Sequence, residues 1–359
     1  MDIQNILKLA AEKKASDVHA LVGYPPIFRI DGELLDANKV SKKNNFSLLT
    51  SSDLSGFIDT LLPDEVKKRF LTEKDLDYSY EIDGVRYRLN FSYEKGEMKL
   101  VARVIKNEEP TLEALGLPPV VAEILNYRQG LVLLTGPTGC GKSTTLAAMI
   151  NHINSTKTVN IVTLEDPIEY VFKPKGSVIS QRQLGEDMLS FESGLKHILR
   201  QDPNIVMLGE MRDLETISTA LTIAETGHLV LATLHTFSAA QTIDRIIDIF
   251  PAHQQNQVKS QLSMVLRAVI SQRLLAKKGG GRVAAREILI NNSASANLIR
   301  EGKIAQINSV IETGSSLGMV TLENDIKNLY QNGIITQEVA ESYFKDLGDI
   351  KKNKNNKIK

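Results

Sequence analysis

Apolar residues change period several times along this chain, and each change marks a change of element. Ile3, Ile6, Leu7 and Ala10 recur at helical spacing, which predicts an amphipathic helix ending before Ser16-Asp17. Alternation at period two follows, and Ile27-Phe28-Arg29-Ile30 turns through Asp31-Gly32 into Glu33-Leu34-Leu35, the pattern of a hairpin. The polar run from Lys39 to Asn45 reads as a loop. Ser51, Ser52 or Asp53 is placed to cap a helix whose Leu54, Phe57, Ile58 and Leu61 share a face, and Pro63-Asp64-Glu65 begins another. From Leu76 to Val104 the period is two again, broken at Asp83-Gly84 and Lys95-Gly96, which predicts a three-stranded antiparallel meander. On the strand holding Tyr87 and Leu89, the alternation sends Arg86 and Arg88 to the opposite, solvated face, and Arg103 lies on the next strand.

Beyond Pro110 short apolar runs alternate with helical patterns, which predicts a parallel sheet covered by helices. The runs are Leu131 to Thr135, Val159 to Leu164, Ile205 to Leu208 and Leu229 to Leu234. Val258, Leu262, Val265, Leu266, Val269 and Ile270 read as one long apolar helix face. A basic turn, Lys277 to Gly281, leads to a strand over Val283 to Ile290, and residues 297–303, 322–330 and 336–344 read as a helical end segment. The last stretch, Lys351 to Lys359, is polar and self-repelling and is expected to be disordered. The fold class is therefore α/β with a smaller α+β unit before it: residues 1–106 and residues 107–359, with Asn107-Glu108-Glu109-Pro110 as the linker.

Composition narrows the function classes. With 359 residues, 42% of them hydrophobic and 24% charged, the chain is long enough for two globular domains. Lys+Arg and Asp+Glu are both 43 and tryptophan is absent, which argues against a nucleic-acid groove or stacking platform as the main surface. The single cysteine, Cys140, excludes an internal disulfide and a zinc site, and the start lacks the layout of a signal peptide, so a cytoplasmic protein is expected. No apolar stretch approaches the ~20 residues that cross a bilayer, so membrane contact is expected to be peripheral.

The chemistry concentrates after the strand Leu131 to Thr135. There Gly136-Pro137-Thr138-Gly139-Cys140-Gly141-Lys142-Ser143 has the form G-x-x-x-x-G-K-S and runs through Thr144 into a helix with Leu146, Met149, Ile150 and Ile153 on one side. Strand, glycine-rich turn and helix in that order make a phosphate cradle. Glycines let backbone N–H groups approach a polyphosphate, the helix start adds positive potential, and Lys142 adds a point charge. Ser143 offers a hydroxyl to Mg²⁺, and a nucleoside triphosphate is the expected ligand. Three further polar residues stand at strand tips, where ligands bind in such sheets: Glu165, Glu210 and His235. Glu210 is the candidate base that polarises the attacking water, and His235 is placed to donate to the γ-phosphate. Gly209 occupies the place where many NTPases carry a Mg²⁺-binding aspartate. His228 opens the strand that His235 closes, and is read with even weight as structural or functional. Cys140 is read either as a tolerated small side chain or as a thiol acidified by the helix start, whose alkylation would lower hydrolysis and which nucleotide would protect.

These stretches together resemble the type II/IV secretion ATPase superfamily, and within it the PilT-like type IV pilus retraction motors. The likeness covers nearly the whole chain. It rests on the run Gly136 to Ser143, the acidic box Glu165-Asp166-Pro167-Ile168-Glu169, the Walker B-like Gly209-Glu210-Met211-Arg212-Asp213, and the box from Thr226-Gly227-His228 to His235-Thr236. The resemblance implies a homo-hexameric ATPase with a PAS-like N-terminal domain and a RecA-like C-terminal domain, acting with ATP and Mg²⁺ at the inner face of the cell membrane on an inner-membrane pilus platform protein. It implies that Glu210 is the catalytic glutamate, that Glu165 assists at the metal and water, that His235 contacts the γ-phosphate, and that Arg88 and Arg103 reach the nucleotide. Retraction is favoured over assembly because assembly relatives usually carry a four-cysteine zinc motif, and because Ala294 to Lys303 keeps much of the retraction signature. Ser295-Ala296 departs from it, where the family typically has Ile-Arg. The alternatives are an accessory or assembly-type ATPase and a poorly hydrolysing nucleotide-gated scaffold.

Overall fold

A computed structural model describes residues 2–30, 32–41, 45–105 and 109–346. The turn residue Asp31, residues 42–44 of the expected loop, linker residues Asn107 and Glu108, and the tail Lys351 to Lys359 lie outside the described residues, while Lys39 and Val40, expected in that loop, end the short helix Ala37–Val40. Contacts divide the chain into two compact units, Met1–Glu108 with Glu169–Val171, and Glu109–Ile168 with Phe172–Lys359.

In the first unit the strands are β1 (Asp17–Leu21), β2 (Ile27–Ile30), β3 (Glu33–Asp36), β4 (Asp75–Ile82), β5 (Val85–Glu94) and β6 (Glu97–Ile105). They form a six-stranded sheet in the order β3-β2-β1-β6-β5-β4. The hairpin and the meander expected from period-two alternation both form, and β1 joins them by pairing antiparallel with β2 and β6. The helix Ile3–Glu12 buries Ile3, Ile6, Leu7 and Ala10 against the sheet's core, with Phe28, Tyr87, Leu89 and Phe91 in the same cluster. The helix Ser51–Leu61 is capped one residue earlier than expected, by Thr50, because Asp53 accepts the Thr50 N–H and completes a capping box.

The other face of this sheet is charged. At a single register the strands line up Arg29, Asp17, Arg103, Arg88 and Ser79 across β2, β1, β6, β5 and β4. Asp17 sits between two guanidinium groups, accepting from Arg103 Nε at 2.9 Å and lying 3.7 Å from Arg29 Nε.

The second unit holds β7 (Gly130–Thr135), β8 (Asn160–Glu165), β9 (Val178–Gln183), β10 (Ile205–Leu208), β11 (Leu229–Leu234), β12 (Leu266–Ala276) and β13 (Arg282–Ile290). Their order is β13-β12-β7-β11-β10-β8-β9. The strands from β12 through β9 run parallel, and β13 closes the edge antiparallel to β12. Every residue of β7, β10 and β11 is buried, as continuous apolar runs covered on both faces require.

Two elements differ from the sequence reading. The long helix expected through Ile270 ends at Val265, and Leu266 to Ala276 is strand β12. Leu266, Ala268, Val269 and Ile270 are buried on both sides of that strand, so their spacing carries no period by which to separate it from a helix. Strand β9 went unread because its pattern of exposed and half-buried residues is that of an edge strand with little apolar signal.

Candidate functional site

Because β7, β11, β10 and β8 are parallel neighbours, their C-terminal tips lie along one edge of the sheet. The glycine-rich loop leaves β7 at that edge, His235 follows β11, Glu210 follows β10 two residues on, and Glu165 ends β8. This edge is the binding crevice of an open α/β sheet.

The loop is packed closely. Gly136 has φ 144°, and a Cβ there would meet the Gln272 carbonyl oxygen and come within 2.6 Å of Cys140 Sγ. Gly139 and Gly141 also take positive φ, of 77° and 90°. Only glycine takes these conformations without strain. The helix Lys142–Thr156 begins after Gly141 with no side-chain cap, so its N-terminal potential is not spent on a carboxylate or hydroxyl of its own. The Lys142 ammonium is buried and donates to the carbonyls of Gly136 at 2.8 Å and Pro137 at 3.1 Å, which holds it inside the loop. Pro137, Thr138, Cys140, Ser143 and Thr144 complete the run between β7 and the helix. Together the loop fits a polyphosphate. Ser143, next to Lys142, carries the hydroxyl that could hold Mg²⁺, and among the described residues no three His, Cys, Asp or Glu side chains gather as a metal cluster.

From the adjacent strand β12, Gln272 reaches the same loop. It is 1% exposed, donates from Nε2 to the Cys140 carbonyl at 2.7 Å, and accepts at Oε1 from Thr145 Oγ1 at 3.1 Å. The sequence does not single out this residue, which lies just beyond the run Val258 to Ile270 that reads as a helix face. The signal present is an amide in the polar trio Ser271-Gln272-Arg273 between apolar residues.

Glu210 and His235 are in direct contact, Oε2 to Nε2 at 3.2 Å, and the other Glu210 oxygen accepts from Arg212. Local structure fixes the segment: Met211 is buried and its N–H donates to the Thr233 carbonyl, while Asp213 caps the next helix by accepting from Thr216 N–H at 2.7 Å. Arg212 is a neighbour of the site that the sequence did not single out for itself. Glu165 lies one strand further out than Glu210. It is buried, and its Oε1 accepts from Thr163 Oγ1 at 2.6 Å and Gln181 Nε2 at 3.0 Å, Gln181 coming from the unforeseen strand β9.

His228 is elsewhere. Its carbonyl accepts from Gly130 N–H, at the start of β7, and its Nδ1 lies 3.1 Å from the Ile223 carbonyl. A six-residue parallel strand separates it from the loop's edge, about 20 Å at 3.3 Å per residue. Within this chain His228 therefore does not belong to the cradle, and its contacts close the helix-to-strand turn. The acidified reading of Cys140 also fails. The thiol is 3% exposed, and burial raises its pKa above the ordinary thiol value despite the nearby Lys142. Arg88 and Arg103 face the same side of the first unit's sheet, Arg88 pairing with Asp77 at 3.2 Å and Arg103 with Asp17.

Comparison with known proteins agrees over almost the whole length. The Type II/IV secretion system protein family matches residues 1–357. The chain is 46% identical over 341 residues to the type IV pilus retractation ATPase PilT of Pseudomonas aeruginosa, which covers 95% of this chain and 97% of that one. It is 43% identical to the Twitching motility protein of Neisseria gonorrhoeae, with 94% and 89% covered. The crystal structure of the pilus retraction motor PilT with bound ADP superimposes with a TM-score of 0.88 at 45% identity, covering 95% and 96%. The Legionella pneumophila ATPase DotB gives 0.81 at 28% identity, covering 96% and 95%. The second unit thus has the RecA-like P-loop ATPase architecture of these structures, with the smaller α+β unit before it. With motifs, strand-edge geometry and full-length matches in agreement, the chain belongs to the Type II/IV secretion system protein family.

Proposed function

We propose that this chain is the subunit of a homo-hexameric, ATP-hydrolysing motor that powers type IV pilus retraction, working at the inner face of the cell membrane against a platform protein. The carrying observation is the Glu210–His235 contact at 3.2 Å, just past the tips of β10 and β11, of which β11 lies next to the strand that leads into the glycine-rich loop, in a chain 46% identical to a pilus retraction ATPase over 95% of its length.

In this reading the loop's N–H groups and Lys142 hold the triphosphate, and Ser143 and Glu165 would hold Mg²⁺. When bound, the metal supplies charge neutralisation at the phosphates. Glu210, with one oxygen on His235, orients the attacking water and takes its proton. His235 donates toward the γ-phosphate, so loss of that group changes the imidazole's partner. Arg88 and Arg103, on the charged face of the first unit's sheet, are the arginines that the family resemblance assigns to the nucleotide. The retraction signature departs from the family pattern at Ser295-Ala296. Ser295 is fully buried and completes a capping box with Asn292 at the start of the helix Ser293–Glu301, whereas Asn297, Arg300 and Glu301 are exposed. The departure at Ser295 therefore alters an inward-facing cap.

The test is steady-state ATP hydrolysis by the assembled protein and by Glu210→Gln. Turnover is expected to fall by about 10²–10⁴-fold with nucleotide still bound, the usual contribution of a positioned base. Deleting the gene is expected to leave cells with excess pili that do not retract. Absent turnover in the wild type, or bare cells after deletion, would overturn the assignment.

A further inference from the structure

We infer that Gln272 is a positioning residue for triphosphate binding, acting through the peptide between Cys140 and Gly141. The inference rests on the proposed nucleotide site and names a part of it that lies on a different strand.

Strand β12 runs parallel beside β7, with Ser271 opposite Thr135 and their hydroxyls 2.8 Å apart. Gln272 therefore stands beside the point where the loop departs. Its amide is used at both ends: Nε2 donates to the Cys140 carbonyl at 2.7 Å, and Oε1 accepts from Thr145 Oγ1 at 3.1 Å. Its own carbonyl packs on Gly136, and a Cβ on Gly141 would come within 3.3 Å of Nε2. One residue thus meets the loop near its start through its backbone carbonyl, and at Cys140 and in the first turn of the following helix through its side chain.

The consequence follows from peptide geometry. In a trans peptide the C=O and the N–H of the same plane point in opposite directions. Holding the Cys140 carbonyl toward β12 turns the Gly141 N–H away from β12, and the bond to Thr145 pins the helix that supplies the next N–H groups. Gln272 also spans a boundary that covalent connectivity leaves loose, since Cys140 and Gln272 are far apart in sequence. Leucine at this position keeps the shape but leaves the carbonyl and the Thr145 hydroxyl without their partner.

The experiment measures the dissociation constant of a fluorescent ATP analogue for the full-length assembled protein, for Gln272→Leu and for Thr145→Val, alongside melting temperature without nucleotide. Each buried group left unpaired is expected to weaken binding by about 5- to 100-fold for Gln272→Leu, and by a smaller factor in the same direction for Thr145→Val. Affinity within twofold of wild type in Gln272→Leu overturns the inference, even if that variant melts lower, because a merely structural role would cost stability and leave binding intact. If Gln272→Leu does not fold, unchanged affinity in Thr145→Val overturns it instead. A wild type that binds no ATP analogue would overturn the nucleotide site itself, whereas a wild type that binds and variants that bind equally would overturn only the role of Gln272.

Discussion

Replacing Gly136 with alanine tests how tightly the cradle is built. The perturbation is one methyl group at a backbone of φ 144°, against the Gln272 carbonyl oxygen and, at 2.6 Å, Cys140 Sγ. Backbone strain at such a φ costs about 1–3 kcal/mol, and forcing a methyl into packed surroundings adds about 1–3 kcal/mol. The carbonyl belongs to the sheet and cannot swing aside, so the sum, about 2–6 kcal/mol, falls on the loop. Gly139 supplies the control. Its φ is 77°, but nothing lies within 4 Å of a Cβ, so Gly139→Ala bears the strain alone, about 1–2 kcal/mol. With about 2–4 °C per kcal/mol for a domain of this size, Gly136→Ala is expected to lower the melting of the second unit by about 4–24 °C, and Gly139→Ala by about 2–8 °C. Differential scanning calorimetry of both variants against wild type reads this directly. Equal melting temperatures for the two would refute the claim that β12 closes the back of the loop.

Burial gives two further expectations. Glu287 is enclosed on β13 with Oε1 accepting from Ala239 N–H at 2.7 Å, and burial raises its carboxyl pKa above the ordinary value. A raised carboxyl contributes stability that is fully present below the unfolded pKa of ~4.3 and is lost as pH rises through the folded value. Glu287→Gln keeps an acceptor and removes the charge, so in urea titrations it is expected to be more stable than wild type near pH 8, with the gap closing toward pH 4. A constant gap would contradict this. The Cys140 thiol, buried and raised, is expected to alkylate at least ~10-fold more slowly in the folded protein than in urea, by mass spectrometry. Equal rates would show that it is open to solvent.

The parts of the fold legible in the sequence were those written in local pattern. The meander could be read because Tyr87, Leu89 and Phe91 alternate with polar neighbours on a half-covered sheet. The glycine-rich loop could be read because G-x-x-x-x-G-K-S sits between a strand and a helix. The tips carrying Glu165, Glu210 and His235 followed from short apolar runs that end in a polar residue. Sheet order was not legible, since it depends on pairings between distant segments, such as β1 sliding between β2 and β6. The same limit hid Gln272, whose importance lies wholly in a neighbour from another part of the chain. His228 misled because a histidine near a histidine box looks alike at either end of its strand, and only the strand's direction tells which end holds the loop.

Asp17 changes what an experiment on Arg103 can mean. One carboxylate, 8% exposed, answers two guanidinium groups at once. Alanine at position 103 therefore removes a positive charge and also abandons a shielded negative one beside Arg29, so any loss of activity mixes a missing contact with a disturbed face. The double variant Asp17→Asn, Arg103→Ala cancels the second effect and leaves the first, and the difference between it and the single variant isolates what the arginine does beyond its own sheet.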